Sequence, residues 1–139
     1  MIAAWTTLAL FALVAIPNAA GLHVLWSTVT VVSLVLFLAS LPIWIYAFGL
    51  ALVRSTRGDD IVVSSWVFLT GSAPAEVRRQ LMRAAALSVV LGLGTVWANP
   101  FGVLVPMLTL GLAALWGARH GEFPARATAT AKATRGGRA

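Results

Sequence analysis

The sequence contains no cysteine, and charged residues make up only 10% of its 139 residues. The lack of thiols excludes disulfides, thiolate catalysis and cysteine-based metal sites. So few charges cannot cover a water-soluble globule of this size with polar surface, because 60% of the residues are hydrophobic and the mean hydropathy is +0.91. The composition therefore predicts a membrane protein rather than a soluble domain.

Two long runs, residues 1–53 and 84–118, lack Asp, Glu, Lys and Arg altogether. A single helix made from the first run would be about 80 Å long, whereas the hydrocarbon core of a bilayer is about 30 Å thick. We therefore expect two spans on each side of the central stretch, separated by breaks near Pro17 and at Asn99 before a proline. The four predicted helices cover about residues 2–20, 25–53, 72–98 and 101–118.

The polar stretch between the two runs is predicted to begin with a connecting loop, residues 54–71. Within it, residues 61–70 are apolar but too short to span, and either lie along the membrane surface or pack under the bundle. Ser72 and Pro74 are typical of a helix start, with Ser72 accepting a hydrogen bond from a free backbone N–H and Pro74 in the first turn. The loop thus leads directly into the third helix.

All ten basic residues lie either in this central stretch or after Trp116. With four spans, the two short connections share one side of the membrane and carry no base, and the positive-inside rule places both termini in the cytoplasm. The predicted fold is an all-α integral membrane protein whose four transmembrane helices form two hairpins within residues 1–120. Residues 121–139 are predicted to be a disordered basic tail, because they contain too few apolar side chains to fold alone.

Small residues recur at every fourth position of the third and fourth predicted helices, where they permit close approach of two backbones. They are Ala84, Ser88, Gly92, Thr109, Ala113 and Gly117. We expect these residues to pack the second hairpin internally or to support self-association.

A second set of residues lies at the predicted cytoplasmic membrane surface and is suited to contact anionic lipids or a partner protein. It comprises Trp66, Arg78, Arg79, Arg83 and Arg119. The alternative interpretation is that the arginines serve only to orient the helices in the membrane.

The apolar parts of the predicted spans contain no ionisable side chain of the kind that transporters and pumps use. His23 and His120 are isolated at predicted helix ends, so no metal site is predicted. Asp59 and Asp60 are adjacent and are expected to balance nearby arginines rather than to act as an acid–base pair. No catalytic residue or cofactor is predicted, and the tail lacks the interleaved aromatic residues typical of nucleic-acid binding.

The segment Gly-Ser-Ala-Pro at residues 71–74, followed by Val77 and Arg78, resembles small multi-spanning membrane proteins of actinobacteria that have no assigned activity. The segment at residues 116–126 resembles the same proteins. This resemblance implies a location in the bacterial inner membrane and transfers no catalytic residue.

Together these observations predict a non-enzymatic, multi-pass protein of the bacterial inner (plasma) membrane. Its expected role is that of a small accessory or scaffold subunit of an envelope complex, which packs against other membrane proteins or against itself. The alternative is a small oligomeric transporter or channel, whose pore would be lined by Ser27, Thr30, Ser33 and Ser40.

Overall fold

The computed structural model describes residues 1–126, in which helices dominate and the only paired extended residues are Asp59 and Ala125 in an isolated bridge. The α-helices are α1 (Ile2–Ala19), α2 (Trp26–Thr56), α3 (Val63–Trp66), α4 (Ala75–Gly94) and α5 (Pro106–His120). Two short 3₁₀ helices, His23–Leu25 and Pro100–Leu104, precede α2 and α5. The prediction of an all-helical protein is confirmed.

The helices α1, α2, α4 and α5 form a bundle in which consecutive long helices run in opposite directions. Near one end, Ala4 of α1 shares a buried cluster with Leu81 of α4 and Ala113 of α5. Near the other end, Ala15 of α1 shares a second cluster with Val29 of α2. The start of α1 therefore lies beside the start of α4 and the later part of α5, and the end of α1 lies beside the start of α2.

The two ends of this bundle differ in charge. Residues 54–60, 76–83 and 119–126 carry every Asp, Glu and Arg of the described part of the chain, and all three segments lie at one end. We call this the charged end. We call the opposite end, formed by His23–Leu25 and residues 95–104, the charge-free end.

Three segments of the described chain are long and apolar enough to cross a membrane: Ile2–Ala19, His23–Thr56 and Pro100–His120. The 20-residue helix α4 is about 30 Å long, but one acid and three arginines occupy its first half. The structure therefore supports the prediction of a membrane protein, with α4 as the least apolar of its four long segments.

The predicted break at residues 17–21 is found in its later part: Pro17 lies inside α1, and the helix ends at Ala19, close to the predicted residue 20. Gly21, at φ +109°, then supplies the left-handed residue of the turn. At its other end α2 continues past the predicted residue 53 to Thr56. Arg54 lies in that last turn, where its positive charge favours the negative end of the helix dipole.

The third helix begins and ends differently from the prediction of residues 72–98, since α4 covers Ala75–Gly94. The prediction that Ser72 caps this helix is wrong: the hydroxyl donates instead to the carbonyl oxygen of Ser65, and Pro74 is the N-cap residue. Ser72 is buried against the preceding loop, which draws its side chain away from the helix.

α4 ends at Gly94, before the predicted residue 98, and the chain continues as a turn to Asn99, which takes an extended conformation (φ −158°, ψ 112°) before a proline. The fourth predicted helix, residues 101–118, is divided into the 3₁₀ helix Pro100–Leu104 and α5. Pro106 starts α5, because a proline has no N–H with which to continue a preceding helix.

The predicted loop, residues 54–71, contains the single helical turn α3. Of the two alternatives for residues 61–70, the structure shows packing under the bundle, since Val67 and Leu69 are buried. Leu69 has φ +55°, a left-handed conformation that is unusual for a leucine. The chain thus turns sharply under the charged end, with Leu69 in the cluster that contains Ala4 and Ala113.

Candidate functional site

Several polar side-chain contacts between segments lie at the charged end, and Arg54 makes three of them. Its Nε atom lies 2.8 Å from Oδ2 of Asp59 in an ion pair that is about one-quarter exposed, and its Nη1 donates to the carbonyl oxygen of Ala118 at 3.2 Å. Its guanidinium also lies over the ring of Phe123, 4.8 Å from the centroid. We call these four residues the Arg54 cluster.

The Arg54 cluster provides a hydrogen-bond donor for a carbonyl group at the end of α5. The last carbonyl groups of α5 have no partner within their own helix, and burying them without one is costly. Arg54 supplies a donor to Ala118 from the last turn of α2, where a cation is itself favourable. One side chain therefore joins the ends of α2 and α5 and orients the turn at Asp59.

Residues 121–126 are ordered against the central loop, which corrects the prediction of a disordered tail for this part of it. The backbone N–H of Asp60 donates to Pro124 at 2.8 Å, and that of Arg126 donates to Gly58 at 2.7 Å. Further along the loop, Glu122 donates to the carbonyl of Ser72 at 2.9 Å. The rest of the predicted tail, residues 127–139, lies outside the described residues.

Trp66, expected at the surface as a lipid or partner contact, lies inside the bundle. Its side chain is 9% exposed, and its indole N–H donates to the carbonyl oxygen of Ala114 at 2.9 Å. It packs with Ala47 and Ala51 of α2, and its ring meets Trp44 edge-on with centroids 6.3 Å apart. The apolar loop carries this large aromatic side chain into the core because burial of its ring is favourable once the N–H has a partner.

The four arginines of the same predicted set are exposed, as a lipid or partner contact requires. Arg78, Arg79 and Arg83 lie on α4, and Arg79 forms an exposed ion pair with Glu76 at 3.6 Å. Arg119 lies on α5 with its guanidinium 5.8 Å from the ring centroid of Tyr46. Arg119 therefore lies against α2, whereas the other three arginines lie on α4.

All six predicted packing residues are buried. Ala84 of α4 and Ala113 of α5 share one cluster, so the two stripes meet at this level. Elsewhere they have other neighbours: a methyl group on Gly92 would come within 2.8 Å of the carbonyl oxygen of Gly102, and one on Gly117 would collide with the carbonyl oxygen of Trp66. Gly92 thus permits a close approach of α4 to the 3₁₀ helix Pro100–Leu104, and Gly117 permits a close approach of α5 to the end of α3.

A pocket of about 410 Å³ opens at the charged end. Its walls are residues 71–74, Trp116, His120 and Glu122, and the imidazole of His120 stacks on Trp116 with centroids 5.3 Å apart. Within residues 1–126, no three His, Asp or Glu side chains come together as metal ligands. The other histidine, His23, lies at the opposite end of the bundle.

Asn99 is a buried residue whose role the sequence reasoning missed. Its Nδ2 donates to the carbonyl oxygen of Trp26 at 3.0 Å and to Oγ1 of Thr30 at 2.8 Å, while its Oδ1 accepts from the N–H of Phe101 at 3.0 Å. The amide thus caps the 3₁₀ helix and fastens it to the first turn of α2, and we call these contacts the Asn99 tie. The available signal was an asparagine before a proline in an apolar run, which is typical of a capped turn.

The comparisons with known proteins add no assignment to this geometry. No family model, curated protein or solved structure matches the chain.

Proposed function

We propose that this chain is a four-span protein of the bacterial inner membrane, with both termini in the cytoplasm, that serves as a non-enzymatic accessory or scaffold subunit of an envelope complex. Four antiparallel segments, with every described Asp, Glu and Arg at one end, support this topology. The positive-inside rule assigns the charged end to the cytoplasm.

The fourth span in this proposal is α4. Its part after Arg83 is free of charge and rises about 16 Å, roughly half of the hydrocarbon thickness. Its arginines are exposed and close to the charged end, so their long side chains can extend to the headgroups while their stems remain in lipid. The burial of Ala84 and Ser88 within the bundle supports a helix that inserts together with its neighbours.

The uncovered face of α2 is the main support for the scaffold role. In the most apolar 18-residue stretch of His23–Thr56, only 17% of the residues are buried, whereas 56% are buried in the corresponding stretch of Pro100–His120. Exposed apolar side chains on the half of α2 towards the charge-free end include Val31, Val35 and Leu38. Such a face can pack laterally against another membrane helix through van der Waals contacts.

Site-specific photocrosslinking in cells tests this role. A photoreactive amino acid in place of Val35 should give a discrete adduct with a second membrane protein or a second copy of the chain, and that species should copurify in mild detergent. The matched position is Val90 on α4, which is similarly exposed and should give lipid adducts alone. Lipid adducts alone at both positions, with the protein running as a monomer, would contradict the scaffold role.

The alternative of a pore lined by hydroxyl groups of α2 finds less support in the geometry. Ser33 and Ser40 are 0% and 1% exposed inside the bundle, and the hydroxyl of Thr30 belongs to the Asn99 tie. Ser27 alone of the four is exposed. A pore between copies requires side chains on the outer surface, so these residues favour helix packing over conduction.

A further inference from the structure

A shallow apolar groove runs along α2 near the charged end. It has a volume of about 470 Å³ and is lined by Pro42, Ile45, Tyr46, Gly49, Leu50 and Val53. These positions recur at helical spacing and therefore share one face. The groove is open at Gly49, where a methyl group would meet nothing within 4 Å.

The length of this groove matches one leaflet of a bilayer. From Pro42 to Val53 the helix rises about 16 Å, and half of the hydrocarbon core is about 15 Å. Almost all of the lining surface is apolar. A single acyl chain from the leaflet at the charged end is therefore the occupant whose length and chemistry fit.

A cation lies beside one residue of the same groove. The guanidinium of Arg119 is held 5.8 Å from the ring centroid of Tyr46, and Tyr46 is a groove residue. Within residues 1–126, the arginines in ion pairs are Arg54 and Arg79, so Arg119 lacks a carboxylate partner there. A guanidinium at a membrane surface favours a phosphate, which it can bind through two parallel hydrogen bonds.

We propose that the groove and Arg119 form a binding site for one anionic phospholipid, with an acyl chain along Gly49 and the phosphate on Arg119. A second copy of the chain on this face would give a dimer in place of a lipid adduct. The inference rests on the proposed insertion of α2 in a bilayer. It adds a specific lipid to a protein that is otherwise proposed to act by helix packing.

Native mass spectrometry of the full chain from mild detergent tests the headgroup part of the proposal. The probes are phosphatidylglycerol and phosphatidylcholine with identical acyl chains. The wild type should retain one phosphatidylglycerol in preference to phosphatidylcholine, and Arg119→Gln should lower that preference about fivefold. The matched variant Arg78→Gln removes an equal charge from an exposed arginine of α4 and should change the preference less than twofold. Equal losses in the two variants would overturn the proposal, since charge alone would then explain binding.

A second pair of variants tests whether an acyl chain occupies the groove. Gly49→Leu places a side chain in the groove at a position where an added Cβ atom meets nothing within 4 Å, and it should reduce retention of both lipids at least threefold. Ala86→Leu, at an exposed small position of α4, should leave retention unchanged. Unchanged retention in Gly49→Leu, displacement of the lipid by glycerol 1-phosphate, or a dimer in place of a lipid adduct would each overturn the site. Helical circular dichroism of every variant confirms folding, and cysteine labelling in cells reports separately on whether the chain is threaded as proposed.

Discussion

The two ends of the bundle are fastened by different chemistry. At the charge-free end, the Asn99 tie uses one uncharged amide, 1% exposed, to join the 3₁₀ helix Pro100–Leu104 to the first turn of α2. At the charged end, the Arg54 cluster uses an ion pair and a cation over an aromatic ring to join the ends of α2 and α5. In both places a single side chain from one segment satisfies backbone groups of another.

The proposed topology gives this difference a physical reason. A connection that crosses the bilayer during insertion carries any charge through hydrocarbon, which is costly. Moving an uncharged amide through hydrocarbon costs less free energy. A connection that stays in the cytoplasm can keep full charges in contact with water. Hydrogen bonding to helix ends is required at both places, because unpaired carbonyl and N–H groups are expensive near lipid.

The largest expected effects come from the two glycines that allow close backbone approach, one towards each end. We expect Gly117→Ala to lower the free energy of unfolding by about 3 kcal/mol and Gly92→Ala by about 2 kcal/mol, because the added methyl groups meet backbone atoms of Trp66 and Gly102. Unfolding by sodium dodecyl sulfate in mixed micelles measures both. In the control, Gly49→Ala, the methyl group meets nothing within 4 Å and should leave stability unchanged or raised. A loss in the control as large as in Gly117→Ala would show that the contacts do not determine the cost.

A smaller effect is expected when each end loses its fastening side chain. Asn99→Ala should cost about 2 kcal/mol, since it removes a cap and leaves the partly buried N–H of Phe101 without its acceptor. Arg54→Gln should cost about 1 kcal/mol, because its ion pair is partly exposed. The same unfolding assay, repeated at low and high salt, distinguishes loss of the ion pair in Arg54→Gln from loss of uncharged hydrogen bonds in Asn99→Ala.

High salt should shrink the cost of Arg54→Gln and leave that of Asn99→Ala unchanged, because salt screens the ion pair alone. Thr30→Val, which removes one contact of the Asn99 tie, should cost less than Asn99→Ala. Equal salt dependence in the two variants would remove the proposed distinction between the ends.

Much of the architecture could be predicted from the sequence, because long charge-free runs permit few alternatives in a membrane protein. The positions of helix breaks at Asn99 and near Pro17 follow from local backbone chemistry, although their exact ends do not. The small-residue spacing marks positions such as Gly92 and Gly117, which are buried in the structure. It could not identify their partners, since a spacing of four says which face is buried but not what covers it.

The charged end was predicted less well, because its structure depends on contacts between residues far apart in sequence. Trp66 was expected at the membrane surface, as is usual for tryptophan in a short loop, but the carbonyl of Ala114, 48 residues later, gives its N–H a buried partner. Ser72 was expected to cap α4 because local rules favour it there. The ordered residues 121–126 likewise depend on the loop at Gly58 and Asp60, which composition alone does not reveal.

Side-specific labelling of single cysteines tests the four-span topology most directly, because the native chain has none. Val24→Cys and Trp97→Cys place exposed thiols at the charge-free end, and Thr56→Cys places one at the charged end. In intact spheroplasts, a membrane-impermeant maleimide should label the first two variants, and Thr56→Cys should react only after permeabilisation. Protection of Trp97→Cys until lysis would show that α4 does not cross the membrane, and would contradict the topology on which the comparison of the two ends rests.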